Sequence, residues 1–301
     1  MYESLHANRK TVQIQSSMYH RTAIVYDFDG TLARGNIQEH SFLPAIGIED
    51  AATFWRNVDE FSKAKNCDRT ITYLWLMLRE AKRQGISITE QTLAQYGAQT
   101  PLFPGVRTWF ERINEYAKAR NLILEHYVIS SGNQEIIAGC PIYPELKQVF
   151  ASKYLYDSAG EALWPGTAIN YTTKTQYLFR INKGVLNNWE DQRVNRWIPM
   201  EERPIPFTRM IFIGDGDTDI PSMKMVRYQG GFSVAVFDPE RWEDKSSQRR
   251  LYRLISEDRV NFVAPADYQE GSQLEIIIKG IIGRFARDAG YRKLNINDED
   301  I

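Results

Sequence analysis

Four apolar, β-branched runs stand out along the chain, and each stops at a polar residue. Ala23-Ile24-Val25-Tyr26 stops at Asp27, and Leu122-Ile123-Leu124 through Tyr127-Val128-Ile129 stops at Ser130. Arg209-Met210-Ile211-Phe212-Ile213 stops at Gly214-Asp215, and Phe232-Ser233-Val234-Ala235-Val236 stops near Asp238-Pro239. Continuous apolar runs of this length fit strands buried on both faces of a parallel sheet. Helical patterns lie between them, over 106–119, 134–138 and 175–181. Strands alternating with helices predict an α/β fold, a Rossmann-like parallel sheet flanked by helices.

One stretch breaks the alternation. From about 50 to 99 the pattern gives helix after helix and no strand. Residues 51–65 are amphipathic. Residues 70–82 carry Leu74, Trp75, Met77 and Leu78 and end near Gly85, a helix-stop signal. Ser87-Ile88-Thr89-Glu90 has capping-box spacing and predicts another helix start at Ser87. Thr100-Pro101 and Phe103-Pro104-Gly105 then punctuate the return. The expected organisation is an α/β core over 1–34 and 101–301, with an all-helical cap over 35–100 covering the sheet's C-terminal edge. Residues 140–173 read as less regular, with a hairpin at 154–160. The charged run 240–253 reads as a solvated surface helix.

Composition excludes several classes. With 43% hydrophobic and 25% charged residues in 301, the chain can bury a sizeable core. Its 37 basic against 38 acidic residues give a net charge of −1, so bulk charge recruits neither nucleic acid nor an anionic membrane. Cys67 and Cys140 stand apart and outside any CxxC pair, which argues against a disulfide framework or zinc site. Residues 1–20 hold no apolar run of signal-peptide length, and the apolar stretch 276–282 is short and broken by Lys279. A cytoplasmic location is expected.

The chemistry concentrates where the strands stop. In Asp27-Phe28-Asp29-Gly30-Thr31, two carboxylates two residues apart can turn to one point if Gly30 lets the chain leave the strand. Gly214-Asp215-Gly216-Asp217-Thr218-Asp219 repeats the arrangement after another apolar run. Converging acids repel unless a cation or proton intervenes, and oxygen-only ligands suit Mg²⁺. A calcium loop does not fit, since its sixth and twelfth positions are Ile220 and Val226, not Gly and Glu. Ser130-Ser131-Gly132-Asn133, between a strand and a helix, can offer hydroxyls and N–H groups to an anion or serve as a helix cap. Lys174 opens a helix, where the dipole does not favour a cation.

In this order, Asp27-Phe28-Asp29-Gly30-Thr31, Ser130, Lys174 and Gly214-Asp215-Gly216-Asp217-Thr218-Asp219 resemble the four motifs of the haloacid dehalogenase-like (HAD) hydrolase superfamily. The resemblance spans about 22–240. The helical insertion is similar to the cap of the phosphoserine-phosphatase-like branch, and 163–184 and 211–238 look closest to bacterial members of it. The resemblance implies that Asp27 is a covalent nucleophile toward phosphorus and that Asp29 is the general acid and base. It implies Mg²⁺ held by Asp27, the Asp29 carbonyl, Asp215 and Asp219. It also implies phosphate binding by Ser130, Ser131, Gly132, Lys174, Gly30 and Thr31. Ser131 competes with Ser130 for the second motif, and Lys183 with Lys174 for the third. The expected activity is hydrolysis of a small phosphorylated metabolite, with no nucleic-acid or membrane partner. A phosphomutase or phosphotransferase would use the same motifs, and a silent binding protein would share the fold.

Overall fold

The computed structural model describes residues 20–290. The strands are β1 (His20–Tyr26), β2 (Leu122–Asn133), β3 (Gln148–Tyr156), β4 (Ala162–Thr167), β5 (Met210–Gly214), β6 (Phe232–Phe237) and β7 (Phe262–Pro265). They form one seven-stranded sheet in the order β4-β3-β2-β1-β5-β6-β7. All pairs are parallel except β3 with β4. The four apolar runs become the four central strands. In β1 the side chains alternate between two apolar clusters, Ile24 and Tyr26 on one face of the sheet and Ala23 and Val25 on the other. That two-sided burial is why the run is continuously apolar.

Register brings the motifs together. Tyr26 pairs with Val128 of β2 and with Ile213 of β5, so Asp27 emerges level with Ile129 and beside Gly214. The Asp27 N–H donates to the Ile213 carbonyl at 2.9 Å. The β2–β3 register shifts between Ile129 and Asn133, loosening the ladder at Ser130–Gly132. Residues 130–133 still belong to β2, and the helix expected over 134–138 forms there, capped by the Asn133 side chain, which accepts from Ile136 N at 2.9 Å.

Between β1 and the return lie only helices: α1 (Ile37–His40), α2 (Phe42–Ala45), α3 (Ala51–Lys65), α4 (Arg69–Arg83) and α5 (Glu90–Gly97). Asp50 and Asp68 cap α3 and α4, each accepting from backbone N–H groups of the first turn. The expected cap at Ser87 lies two residues early. Thr89 caps α5, and its box partner is Thr92, because the Ser87 hydroxyl is turned to Glu161 instead. Phe54, Val58, Tyr73, Leu74 and Met77 of the insertion share one apolar cluster with Ile24 and Tyr26.

The chain continues through α6 (Val106–Lys118), α7 (Gln134–Ala138), α8 (Lys174–Lys183), α9 (Asp191–Asn195), α10 (Ile220–Tyr228), α11 (Lys245–Ser256) and α12 (Gln273–Asp288). The α5 and α7 ends meet backbone to backbone. A Cβ on Gly97 would lie 1.9 Å from the Ile136 carbonyl oxygen, and one on Gly139 1.7 Å from that of Ala94. The stretch 140–173, expected to be less regular, holds β3 and β4, joined by the expected hairpin turn. Asp157 Oδ1 ties that turn by accepting from Ala159 N at 2.8 Å and Glu161 N at 2.9 Å. Among the described residues, no helix is long and apolar enough to cross a membrane.

Candidate active site

Asp27 is nearly buried at the end of β1. Its Oδ1 accepts from Phe28 N at 2.8 Å and meets Lys174 Nζ at 2.9 Å. Asp29, two residues on, is fixed from the insertion side, its Oδ1 accepting from Ile37 N at 2.9 Å. Just after them the chain must turn sharply, and Gly30 does so at φ +74°. A Cβ there would also lie 2.4 Å from Asp215 Oδ2, so the turn presses directly on the second acidic turn.

The second turn is organised by Asp219. Its Oδ2 accepts from Asp215 N at 3.1 Å and Gly216 N at 3.3 Å, while Oδ1 receives Lys174 Nζ at 2.7 Å. Lys174 is 1% exposed and bridges the two acidic turns through Asp27 and Asp219. Carboxylate oxygens of Asp27, Asp215 and Asp219 lie within 4.8 Å of one another. Four acids, Asp27, Asp29, Asp215 and Asp219, thus face two cations, Lys174 and Arg250, the latter with Nη1 3.8 Å from Asp215 Oδ2.

Burial, more than this imbalance, sets the acidity of the carboxyls. Burial and the Asp219 charge push the Asp27 carboxyl up, against the pull of Lys174. Burial raises Asp29 to about 7, partly offset by the Ile37 N–H. Asp215 is also raised to about 7, by burial and then by Asp219. Burial opposes the charge on Lys174, but Asp219 and Asp27 outweigh it and hold the ammonium above its ordinary range. A cluster whose burial pushes Asp27, Asp29 and Asp215 toward protonation suits a hard divalent cation that would favour their ionised forms.

The acids open into a cavity of about 650 Å³ between sheet and insertion. Asp27, Asp29, Gly30, Ser130, Ser131, Gly132, Lys174 and Asp215 all line it. Ser130 is fully buried, and its Oγ accepts from Gly132 N at 2.9 Å. The Ser131 carbonyl accepts from Tyr73 OH of α4 at 2.5 Å, which ties the insertion to the cavity floor. A Cβ on Gly132 would lie 2.9 Å from Asp29 Oδ2 and 3.1 Å from Ser130 Oγ, so a side chain there would push against both groups. Thr31 is not brought to the cavity wall. It is buried beneath the turn, with its carbonyl accepting from Tyr268 OH at 2.9 Å. Lys183 is remote from the acids, and its Nζ donates to the carbonyls of Val194 at 2.6 Å and Arg196 at 2.8 Å.

Gln38 and Asp68 of the insertion and Asn170 of the loop before α8 escaped the sequence pattern, while Trp55, Arg69 and Tyr73 of the insertion also line the cavity. Asn170 Nδ2 donates to Asp68 Oδ2 at 2.9 Å, a second tie across the cavity mouth. The run 240–253, expected to be only a solvated helix, sends Arg241, Ser247 and Arg250 to the wall. Asp217 is exposed, with Arg253 Nη2 3.0 Å from its Oδ1. The missed signal was the i, i+3 spacing of Ser247 and Arg250 on one helix face.

No protein-family model matches the chain. An uncharacterized protein of Borreliella burgdorferi is 26% identical over 276 residues, covering 84% of this chain and 93% of that one. Among solved structures, a HAD-family hydrolase from Salmonella enterica serovar Typhi superposes with a TM-score of 0.53 at 15% identity, covering 92% of this chain and 78% of the other. A phosphoserine phosphatase in its apo form gives 0.52 at 14% identity, over 86% of this chain and 98% of that one. The chain has the HAD-hydrolase fold. A probable phosphoserine phosphatase from Vibrio cholerae gives 0.54 at 14% identity, over 90% of this chain and 68% of the other. In the HAD fold of this chain, the acidic cluster stands at the carboxyl ends of β1 and β5.

Proposed function

We propose that this protein is a Mg²⁺-dependent phosphatase that hydrolyses a small phosphomonoester through an aspartyl-phosphate on Asp27. The observation that carries this reading is the bridge of Lys174 Nζ to Asp27 at 2.9 Å and Asp219 at 2.7 Å, with Asp27, Asp215 and Asp219 converging beside it. Lys174 and the Phe28 N–H occupy Asp27 Oδ1, and Oδ2 has no hydrogen-bond partner among the described residues. Lys174 also favours the ionised, nucleophilic form of Asp27 against burial.

In the first half-reaction an Asp27 oxygen bonds to phosphorus as the ester P–O bond breaks. Asp29, with its carboxyl near 7, is protonated often enough at neutral pH to give the departing oxygen its proton. In the second half Asp29 takes a proton from water, the water oxygen bonds to phosphorus, and the Asp27–phosphorus bond breaks. Ser130 and Lys174 orient and neutralise the phosphoryl oxygens. Asp27, Asp215, Asp219 and the Asp29 carbonyl would hold Mg²⁺, which when bound neutralises phosphate charge so that one anion can approach another. The insertion over 35–100 acts as the cap, tied shut through Tyr73 to Ser131 and Asp68 to Asn170. A closed cap excludes water and favours small substrates.

The test is phosphate release from para-nitrophenyl phosphate and a panel of phosphorylated metabolites, with Mg²⁺ or with EDTA. Release that requires Mg²⁺ is expected. Release undiminished by EDTA would remove the metal from the reading, and isomerised product without free phosphate would replace hydrolysis by group transfer.

A further inference from the structure

The chemistry above leaves Arg250 unused. It stands on α11, and its Nε is buried without a hydrogen-bond partner among the described residues. Its Nη1 is 3.8 Å from Asp215 Oδ2, beyond hydrogen-bond length. A guanidinium cannot shed its charge, so Arg250 is a fixed cation with uncommitted donors on the cavity wall. Ser247, one helical turn earlier, is nearly buried and lines the same wall, and Arg241 joins it from the turn before the helix.

The acids around this patch are partnered, Asp244 in part by Arg241 of the patch itself. Asp244 caps α11, accepting from Ser246 N at 2.9 Å, and faces Arg241 at 3.5 Å. Asp217 is taken by Arg253 at 3.0 Å, and both oxygens of Asp238 receive Arg34 Nη1 at 3.0 Å. Asp215 belongs to the cluster suited to a divalent cation, which would absorb its charge. The patch is therefore a positive site inside a cavity whose other lining cations are paired, Lys174 with the acidic turns and Arg69 with Asp59.

We propose that Arg250, with Arg241 and Ser247, forms a second anion subsite, so that the substrate is a phosphomonoester carrying a second anionic group. This rests on the phosphatase reading for the position of the first phosphoryl group. An Arg fork meets carboxylate and phosphate alike with two parallel N–H donors, so either group satisfies the site. A cavity of about 650 Å³ has room for both ends of a small metabolite.

The test is calorimetric binding in Mg²⁺ buffer, in the Asp27→Asn background so that nothing turns over. Three ligands of similar length differ at the far end: glycerol 3-phosphate, 3-phosphoglycerate and propane-1,3-diyl bisphosphate. At least one of the two-anion ligands is expected to bind tenfold or more tighter than glycerol 3-phosphate, and the tighter one assigns the second group. Adding Arg250→Met should collapse that ratio to within about twofold of one, while Arg250→Lys, retaining charge without the fork, should keep part of it. Equal affinity for all three ligands, or no binding of either two-anion ligand, overturns the subsite. So does an Arg250→Met loss shared equally by the three, which would mean that the residue acts only through Asp215. Phosphate release by the wild-type chain is measured separately. Its absence from all three, with the binding preference intact, overturns the phosphatase reading and with it the substrate class, but not the anion subsite.

Discussion

The turns at 27–31 and 214–219 both load carboxylates onto the end of a buried strand, yet they secure them by different means. In the first, each acid takes a partner from a distant element, Asp27 from Lys174 and Asp29 from Ile37 N of the insertion, although Phe28 N of the turn also donates to Asp27. In the second, Asp219 ties its own turn through the N–H groups of Asp215 and Gly216. Asp215 is then left 23% exposed with only a loose ion pair. The first turn thus holds groups set by distant elements, as a nucleophile and proton carrier must be. The second is a locally braced frame that presents Asp215. Lys174 couples the two.

The largest effect should come from the first turn. Asp27→Asn is expected to lower turnover by at least about 10⁴-fold with an unchanged melting profile, as measured by phosphate release beside circular dichroism. Retained turnover would move the nucleophile elsewhere. Next is the coupling itself. Lys174→Met leaves buried Asp27 and Asp219 uncompensated and should cost about 3–5 kcal/mol, read by denaturant unfolding. A cost near zero would mean that each turn stands alone.

Gly30→Ala strains a left-handed turn by about 1–2 kcal/mol and pushes a methyl group at Asp215. Weaker Mg²⁺ binding by calorimetry should accompany the stability loss, whereas a loss without it would confine the strain to the first turn. The smallest effect should be at Asp217. Its pair with Arg253 is more than half exposed on both sides, so Asp217→Asn should cost under about 1 kcal/mol.

Acidity probes the pair of turns together. Without metal, Asp29 and Asp215 hold their protons up to about 7, while in the unfolded chain they release them near ~4. Protons retained by the folded state stabilise it below about pH 4, and that stability is lost as pH rises through about 7. Thermal melts in EDTA should therefore weaken across this window at the site, and Mg²⁺ should restore the loss because it binds the ionised acids. A Mg²⁺ effect independent of pH would contradict this linkage.

The central strands were legible because burial on both faces leaves only apolar, β-branched side chains, as in Ala23–Tyr26. The two acidic turns were legible because they follow such runs directly. Strand β4 was not, since it carries Pro165 and Gly166 and exposes Leu163 and Trp164, which an edge strand tolerates. Strand β7 has only four residues, too few for a pattern. At the site, Lys174 and Lys183 stand on the same helix, and only tertiary structure separates the bridge between turns from the ties to Val194 and Arg196. Arg250 was hidden in a run of mixed charge whose outward face is solvated, and Tyr73 and Trp55 among helix-core aromatics.

One measurement tests the nucleophilic role of the first turn most directly. Wild-type protein is mixed with a turned-over phosphomonoester and Mg²⁺, quenched in acid within a turnover, digested and mapped by mass spectrometry. Phosphate is expected on the peptide containing Asp27–Thr31, at Asp27, and absent from the Asp27→Asn protein. Turnover without any phosphorylated intermediate on that peptide, or phosphate on another residue, would contradict the assignment.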